Sequence, residues 1–431
     1  MTDSLSNSTD VRQVPSGGRI SGRLRPPSSK SLTQRYYNLA LIAAGTTVVQ
    51  TPLRSEDCDH FLAGLVAAGC AVNDQTERVE IKGPTGPGSA EVFCGASGTM
   101  MRFMTAALCT VAGRWKLDGT DRLRKRPQGT LLSALAVLGA EVSQLGEVGA
   151  LPLEIKGGSL VGGQTGIAAH ESSQFVSALL MAGAAAPAGL TLVVENLVSE
   201  PYVALTEQAL ALFGVRVLRP RAGVFAVRAG RPTGASVTVE PDLSAACYPA
   251  AAAALTGGEV VIEGVERSSV QGDRRFFDLL ADMGANVDWN RGAVRVAGRR
   301  PLEAIQVDLS DMPDQVPTLA ALAPFAAGTT HINNVAHLRI KESDRLAAMA
   351  LELRRLGADV EERDDGLSIE GSWSRSSAPT TPVTTQSHDD HRIAMSCALV
   401  GLRREGVSVA EPQVVGKSYP SFWSDLTGLM S

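Results

Sequence analysis

Charged and polar side chains gather at the starts of several alanine-rich, helix-like segments. Pro26-PSSKSLTQR carries Lys30, Ser31 and Arg35, and Cys94-GASGTMMR carries Ser97, Gly98, Thr99 and Arg102. Glu171-SSQF carries Ser172, Ser173 and Gln174, Pro313-DQVP carries Asp314, and His388-DDHR carries Asp390, His391 and Arg392. A helix N-terminus presents free N–H groups and partial positive charge, and so binds anions. Ser, Thr and Asp are also ordinary N-caps, which accounts for Ser172 or Asp390 taken singly. Capping does not account for Lys30, Arg35, Arg102 and Arg392, because a cation in or near the first turn opposes the helix dipole. An anion held at these helix starts would.

More cations fall outside these turns: Arg122, Arg124, Lys125 and Arg126 in one run, Lys341 and Arg345 in Lys341-ESDR, and Lys417 in Lys417-SYP. Each group alone reads equally as a solvated patch or an i,i+4 network. Together they suggest a small, multiply anionic ligand. His388 and His391 lack a third ligand with metal-site spacing. No GxSxG motif is present, and GPTGPGS at 83–89 lacks the GK[ST] of a phosphate-binding loop.

The elements that must position these residues form a hidden repeat. Leu-x-x-x-Gly-x-x-Val recurs with Gly69, Gly139, Gly214, Gly284 and Gly357, at spacings of 70, 75, 70 and 73. Gly there is expected in the left-handed conformation that ends a helix and turns the chain into a strand. An interleaved series of buried helices begins near Lys30, Gly98, Ser172, Asp242, Asp314 and Asp390. Most of these helices end at a Gly before a β-rich run: Gly45, Gly113, Gly189, Gly258, Gly328 and, near the end, Gly406. The chain therefore reads as six α/β units of about 72 residues, with helices inside and sheets outside. An ordinary doubly wound sheet is the competing reading, which the regular spacing and the lack of an early GxGxxG argue against.

Composition narrows the class. Of 431 residues, 44% are hydrophobic, 20% charged and only 4% aromatic, which fits a globular chain with a core of small side chains. A net charge of −5 disfavours a general nucleic-acid or anionic-membrane binder. The six cysteines show no CxxC spacing and read as buried thiols of a reducing compartment. Residues 1–18 carry no secretory or transit signal and read as a mobile tail. The most membrane-like stretch, Phe175–Val194, is interrupted by Ser177, Gly183, Pro187 and Gly189, and reads as a helix, a turn and a buried strand.

Nine segments, in order along residues 30–420, resemble the 5-enolpyruvylshikimate-3-phosphate (EPSP) synthase family: Lys30-SLTQR, Gly95-ASGTMMR, Arg126-PQG, Ser172-SQF, Ser199-EPY, Pro313-D, Lys341-ESDR, Asp390-HR and Lys417-SYP. The resemblance implies a two-domain inside-out α/β barrel of six βαβαββ units, three per domain. Domain I would be 1–27 with 241–431, and domain II 28–240, with the active site in the interdomain cleft. The implied reaction moves the enolpyruvyl group of phosphoenolpyruvate (PEP) to the 5-hydroxyl of shikimate 3-phosphate and releases phosphate.

Carried over by position, the resemblance assigns shikimate 3-phosphate to Lys30, Ser31, Arg35, Ser172, Ser173, Gln174, Ser199, Asp314, His337 and Lys341. PEP would meet Lys30, Gly98, Arg126, Gln174, Arg345, Arg392 and Lys417. Asp314 would be the base toward the attacking hydroxyl, Glu342 would serve the PEP methylene proton, and Lys30 would share the base role. No metal or organic cofactor is implied. Ala96 and His337 depart from the family pattern at positions where Asn is common. Gly98 keeps the small residue that leaves room beside PEP, which predicts inhibition by glyphosate, a PEP mimic. The two-domain layout and the charge in the cleft predict closure on the ligands, and the chain is expected to be a cytoplasmic monomer. Two rivals remain: the UDP-N-acetylglucosamine enolpyruvyl transferase, whose mobile-loop Cys has no counterpart in Thr120–Gly129, and a non-catalytic anion-binding repeat protein.

Overall fold

The computed structural model describes residues 10–430 apart from Arg375. The chain divides into two compact units. The first joins the residues up to Pro26 with Leu243–Ser269 and the chain from Asp273, and the second is Pro27–Asp242 with Val270–Gly272. Each unit has its own hydrophobic core.

Three buried helices form the centre of each core. In the second unit they are Lys30–Ile42, Gly98–Leu108 and Ser173–Gly183, which touch one another. In the first unit they are Leu243–Thr256, Val316–Leu322 and His391–Gly401, again in mutual contact. Small side chains permit this packing: Ala250 to Ala254 in Leu243–Thr256 are all fully buried. Strands lie against these cores from the outside, as Val407–Ala410 does against His391–Gly401 and Glu259–Glu263 against Leu243–Thr256, so the helices are inside and the sheets outside.

The sheets repeat one topology. Gly88–Phe93 runs parallel to Gly113–Asp118, which pairs antiparallel with Leu153–Gly157, and that strand pairs antiparallel with Glu141–Gln144. The same order recurs in Gly163–Ala168, Leu190–Glu195, Val224–Val227 and Val217–Arg221. It recurs again in Gln306–Asp308, Thr329–Asn333, Gly366–Glu370 and Val360–Arg363.

Three further sheets borrow a strand from a distant part of the chain, and Leu302–Glu303 forms a short parallel pair with Ala326–Ala327. Ser236–Thr238 pairs with Thr46–Gln50, Ser21–Leu24 with Glu259–Glu263, and Val11–Gln13 with Val407–Ala410. The last pairing corrects the expected mobile tail. Residues 11–13 are a paired strand, and Val14 is buried with its N–H donated to the Val407 carbonyl. Of that expected tail, residues 1–9 lie outside the described residues.

The five-fold Leu-x-x-x-Gly-x-x-Val motif is a helix-ending hydrogen-bond pattern. Gly69, Gly139, Gly214, Gly284 and Gly357 have φ of +88°, +88°, +78°, +95° and +92°. In every copy the residue after the Gly donates its N–H to the motif's Leu carbonyl: Cys70 to Leu65, Ala140 to Leu135, Val215 to Leu210, Ala285 to Leu280 and Ala358 to Leu353. The Gly itself donates to the residue after that Leu, completing the two-bond C-terminal cap. In the second glycine series one position shifts by a residue: Gly257, not Gly258, takes the left-handed conformation.

All six cysteines are buried and unbridged. The stretch 175–194 divides into the end of helix Ser173–Gly183 and strand Leu190–Glu195. No described helix is long and apolar enough to cross a membrane.

Candidate active site

In the unit Pro27–Asp242, side chains bind the starts of the three inner helices together. Gln34 donates to Ser97 Oγ at 3.2 Å, linking the first helix to the N-cap of the second. Arg102 on the second helix reaches the third, donating to Gln174 Oε1 at 2.6 Å and Ser172 Oγ at 3.5 Å. Gln174 in turn donates to Thr99 Oγ1 at 3.0 Å. Ser172 caps its helix by accepting the Gln174 N–H at 3.2 Å. The predicted residues Ser172 and Gln174 are therefore tied to Thr99 and Arg102 of the second helix by a shared network, with Ser173 between them in sequence.

Lys30 stands at the first helix start. Its ammonium meets Asp57 Oδ2 at 3.1 Å, and its backbone N–H donates to Asp242 Oδ2 at 3.1 Å. Gly98 opens the second helix, and a Cβ built there would lie 2.3 Å from Arg126 Nη1. The missing side chain is what lets the Arg126 guanidinium lie across this helix start. Ser199 precedes helix Glu200–Leu212 in the left-handed conformation, at φ +55°.

Arg35 lies enclosed within the same unit. It is 1% exposed, and its Nε, Nη1 and Nη2 donate to Thr206 Oγ1, the Ser31 carbonyl and the Tyr202 carbonyl, each at 2.8 Å. Burial lowers its pKa to about 10, with Tyr202 and Tyr36 opposing. Each of its nitrogens donates to a protein oxygen, so it braces Ser31 and helix Glu200–Leu212. A position in the first turn of a helix does not reveal which side of that helix is buried.

In the other unit the site is built around one guanidinium. Arg345 begins helix Arg345–Arg355, and its side chain is 2% exposed. It donates from Nη1 to Asp314 Oδ1, from Nη2 to Glu342 Oε2 and from Nε to Asp390 Oδ2, all at 2.8 Å. Asp390 is fully buried and also caps helix His391–Gly401 through the Arg392 N–H at 2.9 Å. Arg392 meets the second oxygen of Asp314 at 2.6 Å. Burial pushes the Asp314 carboxyl up, but Arg392 and Arg345 outweigh it and hold the group well below the usual carboxylate range. Asp390, Glu342 and Asp314 likewise outweigh burial at Arg345 and keep it charged.

Lys417 is anchored to Asp389, at 2.7 Å to Oδ1 and 3.0 Å to the carbonyl. His337 lies in the turn Ala336–Ile340 and is buried. Burial, with Lys341 adding to it, lowers its pKa to about 3, so the ring is neutral at pH 7.

Cations at inner-helix starts, and three carboxylates on one buried guanidinium in the unit that holds Arg345, fit the handling of anionic substrates and of protons. A family profile described as EPSP synthase (3-phosphoshikimate 1-carboxyvinyltransferase) matches residues 14–426. The chain belongs to the EPSP synthase family. A 3-phosphoshikimate 1-carboxyvinyltransferase of Syntrophobacter fumaroxidans is 41% identical over 418 residues, covering 96% of this chain and 98% of that protein. One of Photobacterium damsela subsp. piscicida is 39% identical over 421 residues, covering 95% and 97%. A solved EPSP synthase structure from Acinetobacter baumannii superposes with a TM-score of 0.81 at 28% identity, covering 97% of this chain and 98% of that one. The chain is thus an enzyme of the enolpyruvyl-transferring class, and the two-domain inside-out α/β architecture is that of its family.

Several residues around the site escaped the sequence reading. Asp57 and Asp242 pair with Lys30, yet in sequence they are ordinary acids near helix starts. Arg102 was visible as an unexplained first-turn cation, and the structure makes it the bridge between two inner helices. Asp389, beside Lys417, carried no signal beyond its place in His388-DDHR.

Proposed function

We propose that this chain transfers the enolpyruvyl group of PEP to the 5-hydroxyl of shikimate 3-phosphate with the residues placed above. Both compact units, Pro27–Asp242 with Val270–Gly272 and the other described residues, contribute residues to this reading. Lys30, Ser31, Ser172, Ser173, Gln174, Ser199, His337 and Lys341 bind shikimate 3-phosphate, and Arg35 supports Ser31 from behind. Arg126, Arg345, Arg392 and Lys417 receive PEP, with Gly98 leaving room for Arg126.

The observation that carries this reading is the sharing of Arg345 by Asp314 and Glu342. The reaction adds a proton to the PEP methylene carbon and removes one from the attacking hydroxyl, then reverses the first transfer as phosphate leaves. Two carboxylates on a common anchor suit that exchange. With Arg345 and Arg392 both on it, Asp314 is a weak base. The PEP carboxylate draws Arg392 toward itself, which raises the proton affinity of Asp314 as the substrate arrives. Glu342 carries the methylene proton, and Lys30 assists at the hydroxyl. The cations stabilise the charged tetrahedral intermediate, the larger part of the rate enhancement.

Glu342→Gln removes the methylene acid while keeping a group that can face Arg345. Turnover should fall by about a hundredfold or more, the usual contribution of a general acid, with shikimate 3-phosphate binding retained. Turnover of that variant close to the parent's would remove Glu342 from the chemistry. The same reading makes the protein a glyphosate-sensitive, cytoplasmic monomer.

A further inference from the structure

The mechanism above leaves unused one buried acid on the helix that carries Arg345. Glu352 is fully buried, seven residues after Arg345 and so on the same helix face. Both side chains reach the loop before helix His391–Gly401. Arg345 grips its end through Asp390, while Glu352 grips its start, accepting from His388 Nε2 at 2.8 Å and from the Gln386 N–H at 3.2 Å. Arg355 closes on Glu352 from the outside at 2.9 Å.

The segment between these two grips is strained. His388 and Asp389 have φ of +53° and +54°, consecutive left-handed residues without a glycine. Such residues persist only where their surroundings over-determine them. Asp389 is the residue whose side chain and carbonyl both hold the Lys417 ammonium. A relaxed loop would move both oxygens.

We propose that Glu352, acting through His388, is a positioning residue for the transfer: it holds Asp389 in the left-handed conformation that seats Lys417 for PEP. This rests on the assignment of Lys417 to PEP. His388 suits the task because it donates to Glu352 from a position where Asn or His is tolerated and a β-branched residue is not.

Steady-state kinetics test this on the full chain. In Glu352→Gln and His388→Val, the KM for PEP should rise about tenfold and the KM for shikimate 3-phosphate should stay within about twofold, while His388→Asn, which suits the left-handed backbone but cannot reach Glu352, should raise the KM for PEP by less than His388→Val. A merely structural role would lower the active fraction and leave both KM values unmoved, which would overturn the proposal. Lys417→Ala is the control for the underlying reading: if it does not raise the KM for PEP, that reading has failed instead. If Lys417→Ala does raise it, adding Glu352→Gln should have no further effect, and a further rise would show that Glu352 acts by another route.

Discussion

At the scale of single residues, Gly98 shows what a missing methyl group controls. A Cβ there would meet Arg126 Nη1 at 2.3 Å and Nη2 at 2.9 Å, so Gly98→Ala must push the guanidinium aside. The KM for PEP should rise about tenfold, as for loss of a charge-assisted contact, while the KM for shikimate 3-phosphate changes little. A parallel rise in both would contradict this assignment of Arg126. His337 makes a different prediction. Its pKa of about 3 lies below the 6.5 of a free imidazole, so the unfolded chain binds the extra proton between those values. The stability this contributes is complete above pH 6.5 and is lost as pH falls toward 3. His337→Asn should therefore flatten the stability profile between pH 6.5 and 4.5, above the range where carboxylates dominate, as read by urea unfolding. An unchanged slope would contradict the burial of a neutral ring. Residue types were legible from the chain alone: Lys30, Asp314, Arg345 and Lys417 stood out by charge and position. Apart from the local Glu342–Arg345 contact, their pairing was not, because the acids that hold them lie far away in sequence, as Asp57 does from Lys30 and Asp314 from Arg345.

At the scale of elements, the helix-ending glycines were fully legible because only glycine takes that conformation cheaply. The five are not equivalent in their surroundings. A Cβ at Gly214 or Gly284 meets nothing within 4 Å, whereas at Gly139 it meets Val161 at 2.9 Å and at Gly357 it meets Pro379 at 2.8 Å. Alanine at 214 or 284 should cost only the backbone term, about 1–2 kcal/mol. Alanine at 139 or 357 should cost more, because packing must also give way. Urea midpoints in the reverse order would refute this. A second repeated feature was invisible in the sequence. The residue after the second strand of the unit is left-handed in five units, as Thr51, Asn196, Gly264, Asn334 and Glu411. Five copies drawn from four residue types leave no motif to find. The backbone repeats there although the side chains do not.

At the scale of the molecule, six units were readable from spacing, but the closure of their sheets was not. Three sheets take a strand from the other end of a long stretch of chain, and Val11–Gln13 reads as tail in sequence because three polar-flanked residues carry no pattern of their own. The net charge of −5 was equally uninformative, since it averages over the cations gathered at the inner-helix starts. What the whole chain must do is release phosphate from PEP only when shikimate 3-phosphate accepts the enolpyruvyl group. The decisive measurement is phosphate release by the purified chain with PEP and either shikimate 3-phosphate or UDP-N-acetylglucosamine, repeated with Asp314→Asn. We predict release with shikimate 3-phosphate alone, falling by about a hundredfold or more in the variant with its fold intact. Release driven by UDP-N-acetylglucosamine, or an undiminished rate in Asp314→Asn, would contradict the account.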